Sequence, residues 1–146
     1  MEIVEDGVYK MRCESREQNG HKIVIIDAGP EAMKDDDIVT NFHDGITFFG
    51  EYVRDYLGFK GVVLDYTGMP YFGSIAEIHG MDLNHIGLPY RMVGVATLPE
   101  DTDHRTVMPN VDWDLSTIKP YFAASVDEAV DSLFAELEHK NQQKGD

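Results

Sequence analysis

The sequence predicts a single α/β domain: a mixed sheet of four or five strands with helices mainly on one face. Three observations carry this. The 146 residues, 42% of them hydrophobic, are enough for one core and leave little room for a second domain. Apolar strand patterns alternate with amphipathic helical patterns, the order expected of crossover units. The one cysteine, Cys13, has no intramolecular disulfide partner, so burial of apolar surface has to supply the stability. The same cysteine count excludes a disulfide framework and a Cys-based zinc knuckle, and fits a reducing, cytoplasmic location.

Taking the elements in order, Tyr9, Met11 and Cys13 alternate with Lys10, Arg12 and Glu14, the period of two of a strand with one wet face. Gln18-Asn19-Gly20 supplies a turn tolerant of positive φ, and Ile23 to Ile26 is a continuous apolar run typical of a strand buried on both faces. The two read as a hairpin. Asp27-Ala28-Gly29-Pro30 ends the run, and Asp35-Asp36-Asp37 reads as a solvated loop. From Thr40, the residues Phe42, Ile46, Phe49, Val53, Tyr56 and Leu57 recur at helical steps, with Thr40 or Asn41 as cap and Gly58 as stop.

Val62-Val63-Leu64-Asp65 is the next buried strand, and Gly68-Met69-Pro70 turns the chain. Ser74 to Glu77 has the form of a capping box, opening a helix that Gly80 keeps short. Tyr90 to Ala96 is a strand, Pro99 to Asn110 is polar and turn-rich, and Asp112 to Lys119 adds a helical turn that Pro120 stops. Tyr121 to Ala124 is a short last strand. Ser125 to Glu128 is a second capping box, opening a helix whose stripe is Val126, Ala129, Val130, Leu133, Phe134 and Leu137. The domain therefore spans residues 1–138, followed by a polar, frayed tail over 139–146.

Charge limits the partners. Against 12 Lys and Arg stand 27 Asp and Glu, a formal net charge of -15, which repels nucleic acid and anionic membrane surfaces and favours a partner with a basic face. Acidic residues already stand at Glu2, Glu5 and Asp6, and the apolar runs are far too short to span a bilayer, so no leader or membrane insertion is expected.

The order strand, strand, helix, strand, helix, strand, helical turn, strand, helix, together with three segments, resembles the STAS domain, the sulphate-transporter and anti-sigma-factor-antagonist family. Val62 to Ser74 looks like that family's strand and loop running into a serine at a helix start. Tyr121-Phe122 with Ser125 to Val130 looks like its last strand and terminal helix, and Ile25 to Pro30 like its early strand and glycine turn. Gly73 stands where the family usually has Asp, Ile75 where a second small polar residue is usual, and the Asp35 to Asp37 loop looks like an insertion. The resemblance implies a non-enzymatic signalling module without cofactor. It implies a phosphoacceptor at Ser74 and a surface of Met69, Tyr71, Phe72, Gly73, Ser74 and Glu77 that binds a regulatory protein such as an anti-sigma-type serine kinase. A homodimer is the other assembly to consider.

The residues leave other chemistry weakly supported. His79, Asp82 and His85 are metal-ligating types, but His85 is six positions from His79, so one helical face does not gather all three, and surface or loop histidines are the simpler reading. His43 with Asp44, and His104 with Asp101 and Asp103, are the catalytic pairs a small hydrolase would use. Ser74 lies outside a Gly-x-Ser-x-Gly elbow, Cys13 shares a strand face with Tyr9 and Met11, and no phosphate-cradling loop is present. The sequence thus assigns no catalytic residue and no metal ligand. A ligand-binding or scaffold domain of the same fold is the alternative to the signalling module, with a His/carboxylate hydrolase behind it.

Overall fold

The computed structural model describes residues 2–6, 9–69, 73–95 and 118–144. Six strands, β1 (Glu2–Asp6), β2 (Tyr9–Gln18), β3 (His21–Asp27), β4 (Gly61–Asp65), β5 (Tyr90–Val93) and β6 (Phe122–Ala123), form one sheet in that spatial order. The first three are antiparallel neighbours and the last four are parallel. The domain is α/β with a mixed sheet, as expected, but the strand count exceeds four to five. The expectation missed β1, whose Ile3-Val4 pair is flanked by acids and lacks the alternation that marked β2. The β2–β3 hairpin is as expected: Gln18 pairs with His21 around Asn19 (φ 54) and Gly20 (φ 82), the two positive φ angles of a type I′ turn.

The strand β3, helix α1 (Asp36–Asp55), β4, helix α2 (Gly73–Ile86) and β5 make two successive crossovers. Both step the same way across the sheet, so a common hand lays both helices on one face. There they cover Val24, Ile26, Val62, Leu64 and Met92. Helix α3 (Val126–Lys144) packs on the opposite face over Ile23, Ile25, Val63 and Val93. Helices mainly on one face is therefore corrected to a sheet covered on both. The cause is local: β3 and β4 are apolar at consecutive positions, so both of their faces need cover.

Four local expectations also change. Helix α1 starts at Asp36, not Thr40, because Asp35 caps it by accepting from the Asp37 and Ile38 amides. The acidic run read as a solvated loop is a helix start, where carboxylates meet the positive end of the backbone dipole. Lys10 adds an ion pair to Asp35 at 2.7 Å, and hydrogen bonding to Lys10, against the opposing effect of desolvation, holds the Asp35 carboxyl below its ordinary range. Second, Tyr56 and Leu57 lie beyond the last turn of α1 and are exposed rather than on the buried stripe, Tyr56 stacking on Tyr52 at 5.5 Å. Third, α2 runs 14 residues through Gly80. A Cβ at Gly80 would sit 2.5 Å from Ile118 and 3.0 Å from the Tyr90 hydroxyl, so the glycine lets the helix approach β5 instead of ending it. Fourth, α3 continues through Lys144, across most of the stretch expected to fray. The serine half of the second capping box is as expected: Ser125 Oγ accepts from the Glu128 amide at 3.1 Å.

The stretch Pro99 to Asn110 and the helical turn from Asp112 lie outside the described residues up to 117. Among described residues, a 3-10 turn at Lys119–Tyr121 contains Pro120. Cys13 is buried in the apolar core with Met11, in line with its reading as a small hydrophobe.

Helix α3 is tied to β5 by Arg91, which donates to Ser132 Oγ and Glu136 Oε1, each at 3.0 Å. Burial opposes ionisation of Glu136, yet hydrogen bonds from Arg91 and Lys140 outweigh it and hold the carboxyl below its ordinary value of 4.5. A carboxyl whose folded pKa lies below its unfolded one stabilises the fold above the unfolded value and loses that contribution as pH falls through the folded value. Urea melts of wild type and Glu136→Gln are therefore expected to differ at pH 7 by up to about 1 kcal/mol. The gap is expected to close as the pH falls below 4.5. A gap unchanged at pH 3 would show that Glu136 acts through packing alone.

Candidate functional site

In parallel sheets ligand and partner sites gather where the strands end and the loops begin. Here the carboxyl ends of β3 and β4 are Asp27 and Asp65, which stand side by side in register. Each carboxylate folds its own loop. Asp27 Oδ1 accepts from the Gly29 amide at 2.8 Å, and its Oδ2 lies 3.1 Å from Arg12 Nε. Asp65 Oδ1 accepts from the Thr67 amide at 3.0 Å and the Thr67 hydroxyl at 2.6 Å. These are Asx turns, in which a short side chain replaces a backbone partner.

The loops then lock onto one another. The Ala28 amide donates to the Asp65 carbonyl at 2.7 Å, and the Tyr66 amide to the Val93 carbonyl at 2.8 Å. Gly94 (φ 70) lies so close to the β4 loop that a Cβ would sit 2.6 Å from Thr67 Cα. The stretch Thr67 to Met69 that leads toward α2 is thus held from both neighbouring loops, with the Met69 amide donating to the Tyr66 carbonyl at 2.9 Å.

Beneath α2, Tyr66 and His79 are both buried, and the Tyr66 hydroxyl shares a 2.7 Å hydrogen bond with His79 Nδ1. Burial pushes the Tyr66 phenol well above its ordinary value, so it stays neutral. His79 is therefore not the surface histidine expected: a buried polar ring needs an internal partner, and Tyr66 is one. Among the described residues no group of three or more His, Cys, Asp or Glu side chains is arranged to hold a metal ion.

Of the expected site residues, Met69 is half-buried, Gly73 opens α2, and Ser74 and Glu77 stand in its first turns, one helical turn apart. Because α2 starts at Gly73, Ser74 is the second residue of the helix, two positions past the cap place expected for it. Tyr71 and Phe72, and the side chains of Ser74 and Glu77, lie outside the described residues, as do the His43, Asp44 and His104 side chains. Of the apolar patch expected at the β4 loop, the member among the described residues is Met69, half-buried. The exposed large apolar side chains among described residues are Tyr56, Leu57 and Met81.

Sequence reasoning missed Asp27, Asp65, Thr67 and Gly94 as the frame of this edge. The signal was present, since an Asp closes each of two apolar strands, but their pairing depends on strand register. Comparison of the chain with protein-family models, with curated proteins and with solved structures finds no match. Among the described residues no helix is long and apolar enough to cross a membrane.

Proposed function

We propose that the chain is a non-enzymatic, cytoplasmic signalling module of the STAS type. It binds a regulatory protein, such as an anti-sigma-type serine kinase, through the first turn of α2 and the loop of residues 68–73, with Ser74 as phosphoacceptor. The observation that carries this reading is the start of α2 at Gly73, which leaves Ser74 in a helical first turn that contains no acidic residue. Backbone N–H groups there have no intrahelical partners and the dipole favours negative charge, so a phosphate is tolerated by the fold. The same phosphate adds a charge of about -1.5 to -2, enough to disrupt a docked surface built around a neutral hydroxyl. Further support comes from the interlocked β3, β4 and β5 loops, which hold the stretch up to Met69, and from the element order on which the resemblance rests.

Substitution at Ser74 tests the reading. Ser74→Ala and Ser74→Asp, both shown folded by circular dichroism, are used to capture partners from an extract of the source cells, and the captured protein is then titrated against each by calorimetry. Ser74→Asp is expected to bind at least about tenfold more weakly, a difference of about 1.4 kcal/mol. Mass spectrometry of the native protein is expected to find phosphate on the peptide carrying Ser74. Equal affinity of the two variants, with no phosphate found, would reduce Ser74 to a structural residue of the helix start.

A further inference from the structure

Two of the three large apolar side chains exposed among the described residues, Tyr56 (83% exposed) and Leu57 (38%), are consecutive and stand just past the end of α1. Half-buried Tyr52 and Phe59 extend them, and the Tyr52 and Tyr56 rings stack at 5.5 Å. Because α1 runs back from the end of β3 to the start of β4, this patch lies at the amino ends of the parallel strands. The first turn of α2 follows the carboxyl end of β4, so the two surfaces occupy opposite ends of the domain.

The patch is fixed by its backbone. The Tyr56 and Leu57 amides both donate to the Tyr52 carbonyl, at 2.9 and 3.2 Å, and the Phe59 amide donates to the Val53 carbonyl at 3.0 Å. Gly58, at φ 74, makes the turn that ends the helix. The Lys60 amide donates to the Lys22 carbonyl at 2.8 Å, and Arg54 donates to the Ile86 carbonyl at the end of α2. Aromatic side chains presented on a fixed backbone have little freedom left to lose on association, and such residues are enriched in the cores of protein interfaces.

The charge around the rings selects the occupant. Residues 51–60 carry Glu51 and Asp55 against Arg54 and Lys60, and Glu17 and Lys22, opposed across the β2–β3 hairpin, add one charge of each sign beside Lys60. The net charge of -15 therefore lies elsewhere on the chain. A foreign partner drawn by that field carries a basic face and is steered to the acidic surfaces. An isologous contact sets one patch against its own copy, so it needs both signs within the patch, with the cations of one copy meeting the acids of the other. Two acidic chains also repel each other least where the local charge is zero. Three rings of at most about 150–250 Å² each, two of them already half-buried, fall short of the about 800 Å² per partner of a standard interface. The resulting dimer is weak and forms as concentration rises.

We propose that this patch is a two-fold interface between two copies of the chain, Tyr56 and Leu57 of one copy packing against those of the other. Sedimentation equilibrium of the full chain is expected to give an average mass that rises from 16.5 kDa toward twice that value between about 5 μM and about 1 mM protein. The rise is expected to be steeper in about 0.5 M than in about 0.05 M sodium chloride, because salt screens the repulsion between acidic chains. Tyr56→Ser, which removes an exposed ring, is expected to keep the wild-type melting curve and to weaken the dimer by about tenfold or more. Lys60→Glu unbalances the patch, whereas Lys34→Glu makes the same change of net charge at an exposed side chain near the opposite end of the domain. The first is expected to weaken the dimer about threefold or more relative to the second. In nitrogen-15 spectra, the amide shifts that accompany concentration are expected to centre on Tyr56, Leu57 and Gly58. A chain that stays monomeric to about 1 mM in the higher salt, which would leave the patch to a different protein, overturns the proposal. So does a dimer that Tyr56→Ser leaves intact, that responds equally to the two lysine changes, or whose shifts centre elsewhere. None of these outcomes bears on Ser74.

Discussion

Replacing Leu133 by Ala is expected to lower stability by about 2–5 kcal/mol in denaturant melts, the cost of losing a buried side chain and leaving a cavity. Leu133 is fully buried in the cluster that α3 forms with Ile23, Ile25 and Val63. Gly61 in β4 brings the backbone close, since a Cβ there would lie 3.4 Å from Leu133 Cδ1. The sheet thus has little side-chain volume with which to refill the space. The substitution also tests the architecture, because α3 is the helix that covers the second face of the sheet. A loss below about 1 kcal/mol would put that helical face in solvent and remove the two-faced sheet.

The second large effect is expected at Gly94. Its φ of 70 already disfavours a side chain, and the Cβ of Gly94→Ala would meet Thr67 backbone atoms at 2.6 and 2.7 Å. The left-handed conformation costs about 1–2 kcal/mol, and overpacking adds about 1–3 kcal/mol, for a total of about 2–5 kcal/mol. Gly20→Ala is the control. Gly20 has φ 82 but nothing within 4 Å of a built Cβ, so only the conformational part, about 1–2 kcal/mol, is expected there. Equal losses at the two glycines would mean that the β4 and β5 loops yield freely, and that the base beneath the start of α2 is not rigid. Binding of the partner proposed above would give a second readout, because movement of Thr67 reaches Met69, whose amide donates to the Tyr66 carbonyl.

The sequence alone determined the features that depend on neighbours in the chain. The Asn19-Gly20 hairpin follows from two residues that accept positive φ, the strands β3 and β4 from unbroken β-branched and aliphatic runs, and the start of α3 from the Ser125 hydroxyl reaching the Glu128 amide. Each involves groups a few residues apart, so local pattern suffices. The helix start at Asp36 was legible in principle, but the acidic run had two physical meanings, repulsion in a loop or capping at a helix end. The Lys10 ammonium from β2, distant in sequence, adds to the second.

Only the tertiary structure decided the rest. That helices cover both faces follows from where α3 returns after β6, and no periodicity states a return path. The burial of His79 follows from Tyr66 arriving beneath α2 at the end of β4. Glycines 80 and 94 read as a helix limit and as an ordinary strand residue until the backbone brings Ile118 and Thr67 within 3 Å of their missing Cβ atoms. Arg91 of β5 meets Ser132 and Glu136 of α3, 41 and 45 residues further along the chain, and such convergence is a property of packing that a linear pattern does not carry.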